Sequence, residues 1–251
     1  MKAVCHIVKG PYHKECEDSA LIMGAGRSPM IFHENRTETE ISSPVLIAAA
    51  DGVGGLPGGR KASEFAVRTL STMNVSGDET TYAETLKEIN RRLIDYAATV
   101  PGQNTMATTL SMVYLDGNTF KIAHTGNTRI QTLNGGYLRQ VSTDHTTYQM
   151  LMDRGMPEEA EKAPKNEIIS CLGGGNEKQL YRIQVNSLKV SPNQKMIILT
   201  SDGIHDYVDI DFMEDTFNRD DLSLGEKADL LILQALKLES EDDKTVLIVE
   251  L

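Results

Sequence analysis

Apolar residues in this chain occur in short runs that stop at acidic residues. The six residues Val45–Ala50 are all apolar, and they lead directly to Asp51 and the glycine-rich segment Gly52–Gly59. A short apolar run that ends at glycines is typical of a buried strand, and the glycines let the backbone turn sharply beside the carboxylate. The same order recurs at 196–203, where an apolar run precedes Asp202.

A third acidic site, Asp242 and Asp243, precedes the apolar run Thr245–Leu251. We therefore predict that folding brings Asp51, Asp202 and Asp242 together from three strand ends. Oxygen-rich sites of this kind suit hard divalent cations such as Mg²⁺ and Mn²⁺. Any one of these residues taken alone is explained more simply as a turn residue or a helix cap.

The spacing of apolar residues predicts the remaining elements, since a period of about 3.6 indicates a helix and a period of two a strand. The predicted helices are 59–73, 81–98, 146–155 and 226–238, with a polar break at 74–80. The predicted strands lie within 1–10 and 19–32 and at 107–115, 119–130, 137–141, 168–172 and 179–190. Segment 36–43 is predicted to be a loop or hairpin, and 212–224 irregular. Turn residues between consecutive strands favour antiparallel pairing, so we predict one α+β domain over residues 1–251.

The charge and cysteine content narrow the possible partners. Among 251 residues, 36 are acidic and 25 basic, and the resulting net charge of −11 argues against nucleic acid, whose phosphates need a basic surface. We expect no membrane partner, because no apolar run is long enough to span a bilayer and the first residues do not resemble a secretory signal. Three widely spaced cysteines predict neither a disulfide framework nor a zinc site, and they favour a cytoplasmic location.

A series of short motifs follows a fixed order along the chain. These are Glu17-Asp18-Ser19, Asp51-Gly-Val-Gly-Gly, Ala62-Ser63, Thr108-Thr109, His124-Thr-Gly-Asn-Thr-Arg129, Thr143-Asp144-His145, Leu172-Gly173, Ser201-Asp-Gly-Ile-His-Asp206 and Asp242-Asp-Lys-Thr245. Together they resemble the metal-dependent serine/threonine protein phosphatases of the protein phosphatase 2C (PPM) type, in the bacterial single-domain form. The resemblance implies two antiparallel sheets packed face to face, with helices outside and metal ions at one edge.

The resemblance also implies a set of metal ligands for two core Mn²⁺ or Mg²⁺ ions and a third, weaker ion. The core set is Asp51 as the bridge, the carbonyl of Gly52, Asp202 and Asp242, with Glu17 and Asp18 acting through water. The set for the third ion is Asp144 and Asp206 together with Asp202. Asp51, Asp202 and Asp242 are the expected catalytic carboxylates. Two ions that share a water lower its pKa and direct it at phosphorus, so no covalent enzyme intermediate is expected.

Several positions depart from the family pattern. Most relatives place a phosphate-binding Arg four residues before the Glu-Asp pair, whereas this chain has His13 followed by Lys14. Neither side chain reproduces a bidentate guanidinium, so we expect phosphate binding to be weaker or more dependent on pH. Arg60 is a further candidate for phosphate contact, although a solvated side chain at a helix start explains it more simply. Asn127 replaces an Asp whose hydrogen-bonding role an Asn partly keeps.

The predicted activity is metal-dependent hydrolysis of phosphoserine and phosphothreonine in proteins. Two alternatives stay open: a pseudophosphatase that acts as a binding or sensing module, and a phosphatase for small phosphorylated metabolites. The complete set of acidic positions favours the enzyme, and His13 favours the pseudophosphatase. We expect the partners to be a phosphorylated protein and an opposing serine/threonine kinase, and the protein to be a monomer.

Overall fold

In the computed structural model, the described residues are 1–76 and 78–251; Gly77, inside the predicted polar break, lies outside them. The strands among the described residues are β1 (Lys2–Val8), β2 (Ser19–Gly24), β3 (Met30–Phe32), β4 (Arg36–Glu40), β5 (Val45–Ala50), β6 (Ala107–Thr108), β7 (Leu110–Asp116), β8 (Thr119–Thr125), β9 (Arg129–Asn134), β10 (Tyr137–Gln140), β11 (Leu172–Gly173), β12 (Gln184–Lys189), β13 (Gln194–Thr200) and β14 (Lys244–Glu250). The helices are α1 (Gly59–Ser71), α2 (Glu79–Thr99), α3 (Thr147–Asp153), α4 (Pro157–Ala160), α5 (Asp202–His205), α6 (Ile210–Asn218) and α7 (Leu224–Lys237), with a short 3₁₀ helix at Glu177–Gln179.

Across the described part of the chain the strands form two six-stranded antiparallel sheets. The first has the order β10-β9-β13-β14-β1-β4, and the second has the order β12-β8-β7-β5-β2-β3; β6 and β11 pair separately. The two sheets pack face to face, and helices α1 and α2 cover the outer face of the second sheet while α6 and α7 cover that of the first. The predicted α+β class with two packed antiparallel sheets and outer helices is confirmed.

Strand β5 shows why the sequence signal was strong at this point. Its bounds are the predicted ones, and all six of its residues are buried. Ile47 and Ala49 face the other sheet, whereas Leu46 and Ala48 face the helices. A strand covered on both faces has no reason to alternate apolar with polar residues. The unbroken apolar run is therefore the pattern expected of a strand in the centre of a sheet.

The predicted strand 119–130 is wrong in one respect, because it is two strands. The chain bends at Gly126, which has a φ of 104° in the left-handed region that favours glycine. A Cβ at this position would lie 2.5 Å from the side chain of Thr109, so the bend also requires a close approach. The bend separates β8 from β9 and directs Asn127 toward the edge of the sandwich.

Two polar segments also differ from prediction. Segment 36–43 contains strand β4, which pairs with β1 at the sheet edge, where polar residues are tolerated on both faces. Segment 212–224 overlaps helix α6, whose cap Asp209 accepts a hydrogen bond from the backbone of Phe212 at 2.8 Å. Met213 and Phe217 form the buried stripe of α6, which the many acidic residues around them conceal in the sequence. Among the described residues, none of the helices has the length and apolar character needed to span a bilayer.

Candidate metal centre

The two sheets bring their acidic strand ends to one edge of the sandwich. In the second sheet Ser19 pairs with Ala50, which places Asp18 beside Asp51. In the first sheet Thr200 of β13 pairs with Val246 of β14, and their ends lead into Asp202 and the segment that carries Asp242. A Cβ on Gly203 would overlap the backbone of Asp243, so only glycine lets the start of α5 lie this close to β14.

The carboxyl groups of Asp51 and Asp202 are neighbours at this edge. Burial raises the pKa of Asp51 well above its usual range, and the charges of Asp18 and Asp202 raise it further. Burial and the charges of Asp242 and Asp206 raise the pKa of Asp202 to about 7. Without a cation, this group of carboxyls therefore favours its protonated form.

The oxygen atoms of Asp202 test whether a cation fits. Its Oδ2 accepts a hydrogen bond from Asn127 Nδ2 at 2.9 Å, whereas its buried Oδ1 accepts none from any described residue. Once it is ionised, the neighbouring carboxyl of Asp51 offers no donor either. A hard divalent cation satisfies facing carboxylates of this kind, so the residues fit Mn²⁺ or Mg²⁺.

Backbone contacts hold Asp51 and Gly52 in place. The carbonyl of Asp51 accepts hydrogen bonds from the Thr109 backbone and the Thr108 hydroxyl, each at 2.8 Å. A Cβ on Gly52 would lie 2.5 Å from the carbonyl carbon of Gly59, so this position requires glycine. The glycine loop thereby folds back across the end of β5.

The Glu17-Asp18 pair is fixed by the segment before β14. Thr245 Oγ1 donates to Asp18 Oδ2 at 2.6 Å, and the backbone N–H of Glu17 donates to Asp243 Oδ2 at 2.5 Å. The other oxygen of Asp243 accepts from the backbone of Gly10 at 2.6 Å. The sequence pointed to Asp243 only through its position beside Asp242, and its role as a clamp depends on contacts with residues more than 200 positions away.

Lys244 is a buried cation that the sequence reasoning missed. Its side chain has no exposed surface, and Nζ donates to the carbonyl of Asp242 at 2.6 Å. Burial lowers the pKa of Lys244, while the charges of Asp243, Asp242 and Asp18 oppose that shift. The ammonium is an internal counter-charge to the acidic cluster.

The residues predicted to hold a third ion lie next to an arginine. Arg129 Nη2 donates to Asp144 Oδ2 at 2.8 Å, and Gln140 Nε2 donates to Asp144 Oδ1 at the same distance. Burial raises the pKa of Asp206, the charge of Arg129 lowers it, and the charge of Asp144 raises it. Asp144 is thus engaged in an ion pair, and its role as a metal ligand stays a prediction.

His13 lies against the acidic segment. Its Nδ1 is 3.1 Å from Asp243 Oδ1, and its Nε2 is 3.8 Å from Asp242 Oδ1. Burial alone lowers the pKa of His13, but the hydrogen bond and charges of these carboxylates outweigh burial and raise it. The ring therefore faces Asp242, which the sequence assigned to metal, and Asp243, which it did not.

The other two candidates for phosphate contact lie near the surface. Lys14 is exposed and forms no ion pair within the described residues. Arg60 Nε is 3.6 Å from Glu15 Oε2, and its Nη1 donates to the carbonyl of Cys16 at 3.4 Å. Arg60 thus approaches the segment that carries Glu17 but is already paired.

Comparison with known proteins gives consistent matches over most of the chain. A family model described as Protein phosphatase 2C matches residues 36–234. The serine/threonine phosphatase stp of Listeria monocytogenes serovar 1/2a is 32% identical over 225 residues, which are 85% of this chain and 86% of that protein. The serine/threonine protein phosphatase PstP of Mycobacterium tuberculosis strain H37Rv is 26% identical over 86% of this chain and 42% of that protein.

Solved structures share the fold at lower identity. The serine/threonine phosphatase Stp1 from Staphylococcus aureus superposes with a TM-score of 0.82 at 23% identity, covering 99% of this chain and 94% of that chain. The catalytic domain of PstP in complex with two manganese ions superposes with a TM-score of 0.75 at 23% identity, covering 99% and 98%. The arrangement of sheets and helices described above is therefore shared with these structures.

Proposed function

Because the chain belongs to the protein phosphatase 2C family, we infer that it is a serine/threonine protein phosphatase that depends on Mn²⁺ or Mg²⁺. The observation that supports this most directly is the buried Oδ1 of Asp202, which lacks a donor among the described residues although the carboxyls of Asp51 and Asp242 lie nearby. A buried pair of carboxylates is costly unless a cation is bound between them.

The ligands we propose for two core ions are Asp51 between them, the carbonyl of Gly52, Asp202 and Asp242, with Glu17 and Asp18 acting through water. Ions bound there would lower the pKa of a water and offset the charge of the phosphate group. Asp51, Asp202 and Asp242 are the proposed catalytic carboxylates. We propose Asp144 and Asp206, with Asp202, for a third and weaker ion.

This chain's own residues prepare the site before any substrate arrives. Asn127 donates to one oxygen of Asp202 and leaves the other without a donor among the described residues. Asp243 holds the Glu17 backbone, and Thr108 and Thr109 hold the backbone of Asp51. Ligands held in this way need little rearrangement on binding, which favours affinity.

Substrate phosphate would approach from the side of the 13–17 segment and the start of α1. Lys14 and Arg60 are the cations we propose for contact with phosphate there, since both adjoin the segment that carries Glu17. Arg60 has to exchange its pairing with Glu15, which costs little because Glu15 is exposed. Phosphate contact by His13 stays a prediction, because Asp243 already occupies its Nδ1.

The substrates are phosphoproteins, and we further propose that the phosphatase opposes a serine/threonine kinase in the cytoplasm as a monomer. The cytoplasmic location rests on three widely spaced, buried cysteines, which suit a reducing compartment. We also propose that residues 1–251 form one phosphatase domain. Strand β1 supports this, since it pairs with both β4 and β14 and so joins the two ends of the sequence.

A turnover assay tests this function. Purified protein should hydrolyse a phosphoserine peptide and an aryl phosphate with Mn²⁺ or Mg²⁺, and chelator should stop both reactions. Asp51→Asn should lose most turnover in each metal, whereas Asp116→Asn, at an exposed aspartate that ends β7, should retain it. Metal binding without turnover would favour the pseudophosphatase. Turnover of small phosphates without peptide hydrolysis would favour the metabolite phosphatase.

A further inference from the structure

The ring of His13 lies between two carboxylates that differ in their surroundings. One ligand atom each from His13, Asp242 and Asp243 can be chosen so that all three lie within 4.8 Å of one another. Asp243 is 1% exposed, and both of its oxygens accept backbone hydrogen bonds, whereas the side chain of Asp242 is 42% exposed. The two ring nitrogens therefore face different carboxylates: Nδ1 faces the buried Asp243, and Nε2 faces the exposed Asp242.

The loop that carries His13 is anchored on the same segment as Asp242. Gly10 packs so tightly on that segment that a Cβ would lie 2.8 Å from the carbonyl carbon of Asp242. Gly10 also donates its N–H to Asp243 Oδ1 at 2.6 Å, and Lys9 Nζ donates to the carbonyl of His13 at 2.6 Å. The position of the ring relative to Asp242 is thus set by backbone contacts.

Asp243 orients the ring. The ion-pair contact of 3.1 Å between Nδ1 and Asp243 Oδ1 leaves Nε2 on the side of Asp242. The 3.8 Å between Nε2 and Asp242 Oδ1 is too long for a hydrogen bond. It is short enough for one ion to bridge the two atoms at ligand distances of roughly 2.0–2.2 Å. A carboxylate on one imidazole nitrogen and a metal on the other is a common arrangement in metal sites.

We propose that His13 is a nitrogen ligand of an ion that it shares with Asp242, so that the centre selects Mn²⁺ or another transition metal over Mg²⁺. This rests on the proposed function, since Asp242 belongs to the proposed core set. Imidazole binds transition metals well, whereas Mg²⁺ prefers oxygen ligands alone. Asp243 acts as a positioning residue, because it holds the ring without facing the ion.

Metal binding by three proteins tests the proposal: the wild type, His13→Gln and His6→Gln. His6 is the matched control, because its Nδ1 lies 2.9 Å from Asp229 on α7 and so is also a histidine held by a carboxylate. After chelation and dialysis, each protein is titrated calorimetrically with Mn²⁺ and with Mg²⁺. We expect His13→Gln to bind Mn²⁺ roughly 10- to 100-fold more weakly and Mg²⁺ about as well as the wild type. His6→Gln should match the wild type for both ions.

Pulsed electron paramagnetic resonance of bound Mn²⁺ gives a readout that does not depend on turnover. The wild type at one and two equivalents of Mn²⁺ should show ¹⁴N modulation from an imidazole. The modulation should disappear after labelling with ¹⁵N-histidine and in His13→Gln, and it should persist in His6→Gln. Bound Mn²⁺ without nitrogen coupling, or equal Mn²⁺ affinity in His13→Gln, would overturn this proposal alone. A wild-type protein that binds no Mn²⁺ would overturn the proposed function as well.

Discussion

At the scale of the residue, Asp202 faces two opposing requirements. Metal binding needs its ionised carboxylate, but in the metal-free fold the same group is buried beside Asp51, and burial raises its pKa to about 7. Ionisation is therefore costly until a cation arrives. The site gains its affinity for metal at the expense of the stability of the metal-free protein.

Asp202→Asn should separate these requirements. The amide keeps the size of the side chain, its oxygen can accept from Asn127, and its N–H₂ can donate to Asp51. We expect kcat with Mn²⁺ to fall by more than about 100-fold, since even the outer partners of metal ligands cost 10- to 100-fold. In chelator at pH 8 the Tm should rise by several degrees, because about 1 kcal/mol corresponds to roughly 2–4 °C at this size. A lower Tm measured by calorimetry in chelator would contradict the account of a strained carboxylate pair.

Lys244→Met should change metal affinity in the opposite direction. Removing the buried ammonium removes its repulsion of the bound ions, and we expect Mn²⁺ to bind on the order of tenfold more tightly, equivalent to about 1.4 kcal/mol. The metal-free protein should become less stable, because the acidic cluster loses its counter-charge. Lys227→Met is the matched control: Lys227 is also buried, but its Nζ donates to Phe217 O on the far side of the first sheet. Weaker Mn²⁺ binding by Lys244→Met in calorimetry would show that the ammonium supports the site by orienting Asp242.

Sequence patterns reach some of these residues and not others. Asp51, Asp202 and Asp242 could be predicted because each ends or precedes an apolar run, which is a local signal. The roles of Asp243 and Lys244 depend on neighbours far away in sequence, and no local pattern encodes them. Arg129 belongs to a motif that the sequence shows, but its pairing with Asp144 required the structure.

At the scale of the element, the connection from β5 to α1 determines the shape of the site. Gly52 hydrogen-bonds to Glu17 through its N–H and has no space for a Cβ, whereas Gly54 has no atom within 4 Å of an added Cβ. The two glycines are only two residues apart, but only position 52 excludes a side chain for steric reasons. A comparison of the two positions therefore distinguishes a steric requirement for glycine from a contribution to loop flexibility. The glycine content of the loop alone could not distinguish them.

Gly52→Ala should destabilise the fold and weaken metal binding, while Gly54→Ala should leave both near wild type. Overpacking a tight contact typically costs about 1–3 kcal/mol, and relief here has to move the backbone of Gly59 or Asp51. Urea unfolding of the two variants and Mn²⁺ titration measure the two effects. Equal stability of both variants would mean that the loop relaxes freely around position 52.

The apolar pattern predicted the secondary-structure elements that are buried on one face or on both faces. It failed where acidic residues surround the few buried positions of an element. Strand β5 and helix α7 follow from their apolar patterns. Helix α6 was missed because its buried residues, Met213 and Phe217, lie among acidic neighbours. Its N-cap residue, Asp209, is itself acidic and could not be distinguished from those neighbours in the sequence. The break in 119–130 was missed because Gly126, in the left-handed conformation, ends the strand without changing the pattern of side chains along the sequence.

At the scale of the whole molecule, buried histidines and buried carboxyl groups together set the pH dependence of stability. Burial lowers the pKa of His124 to about 4 and that of His145 to about 3. Below about pH 6.5 these two histidines bind protons in the unfolded chain, and this lowers the stability of the fold. Above that pH they are neutral in both states, so they no longer change the stability with pH. Burial and mutual repulsion raise the pKa values of Asp51, Asp18 and Asp202, so the folded metal-free protein holds protons that the unfolded chain has released.

Above pH 7 the acidic cluster should still change stability, with a sign opposite to that of the two histidines, and His13, whose pKa is also raised, acts in the same direction as the cluster. Folded pKa values above the unfolded ones mean that stability falls as pH rises, by up to about 1.4 kcal/mol per pH unit for each proton retained. We expect the Tm of chelated protein to fall from pH 7 to pH 7.5, a range in which unfolded cysteines, with a pKa of about 8.5, stay mostly protonated. Excess Mn²⁺ should abolish the fall, because the ions take the place of the protons, and Asp202→Asn should make it shallower in chelator. Calorimetric scans at three pH values, with and without Mn²⁺, measure these slopes. A chelated wild type whose Tm is constant or rises over this range would show that the three carboxyls are already ionised in the metal-free fold.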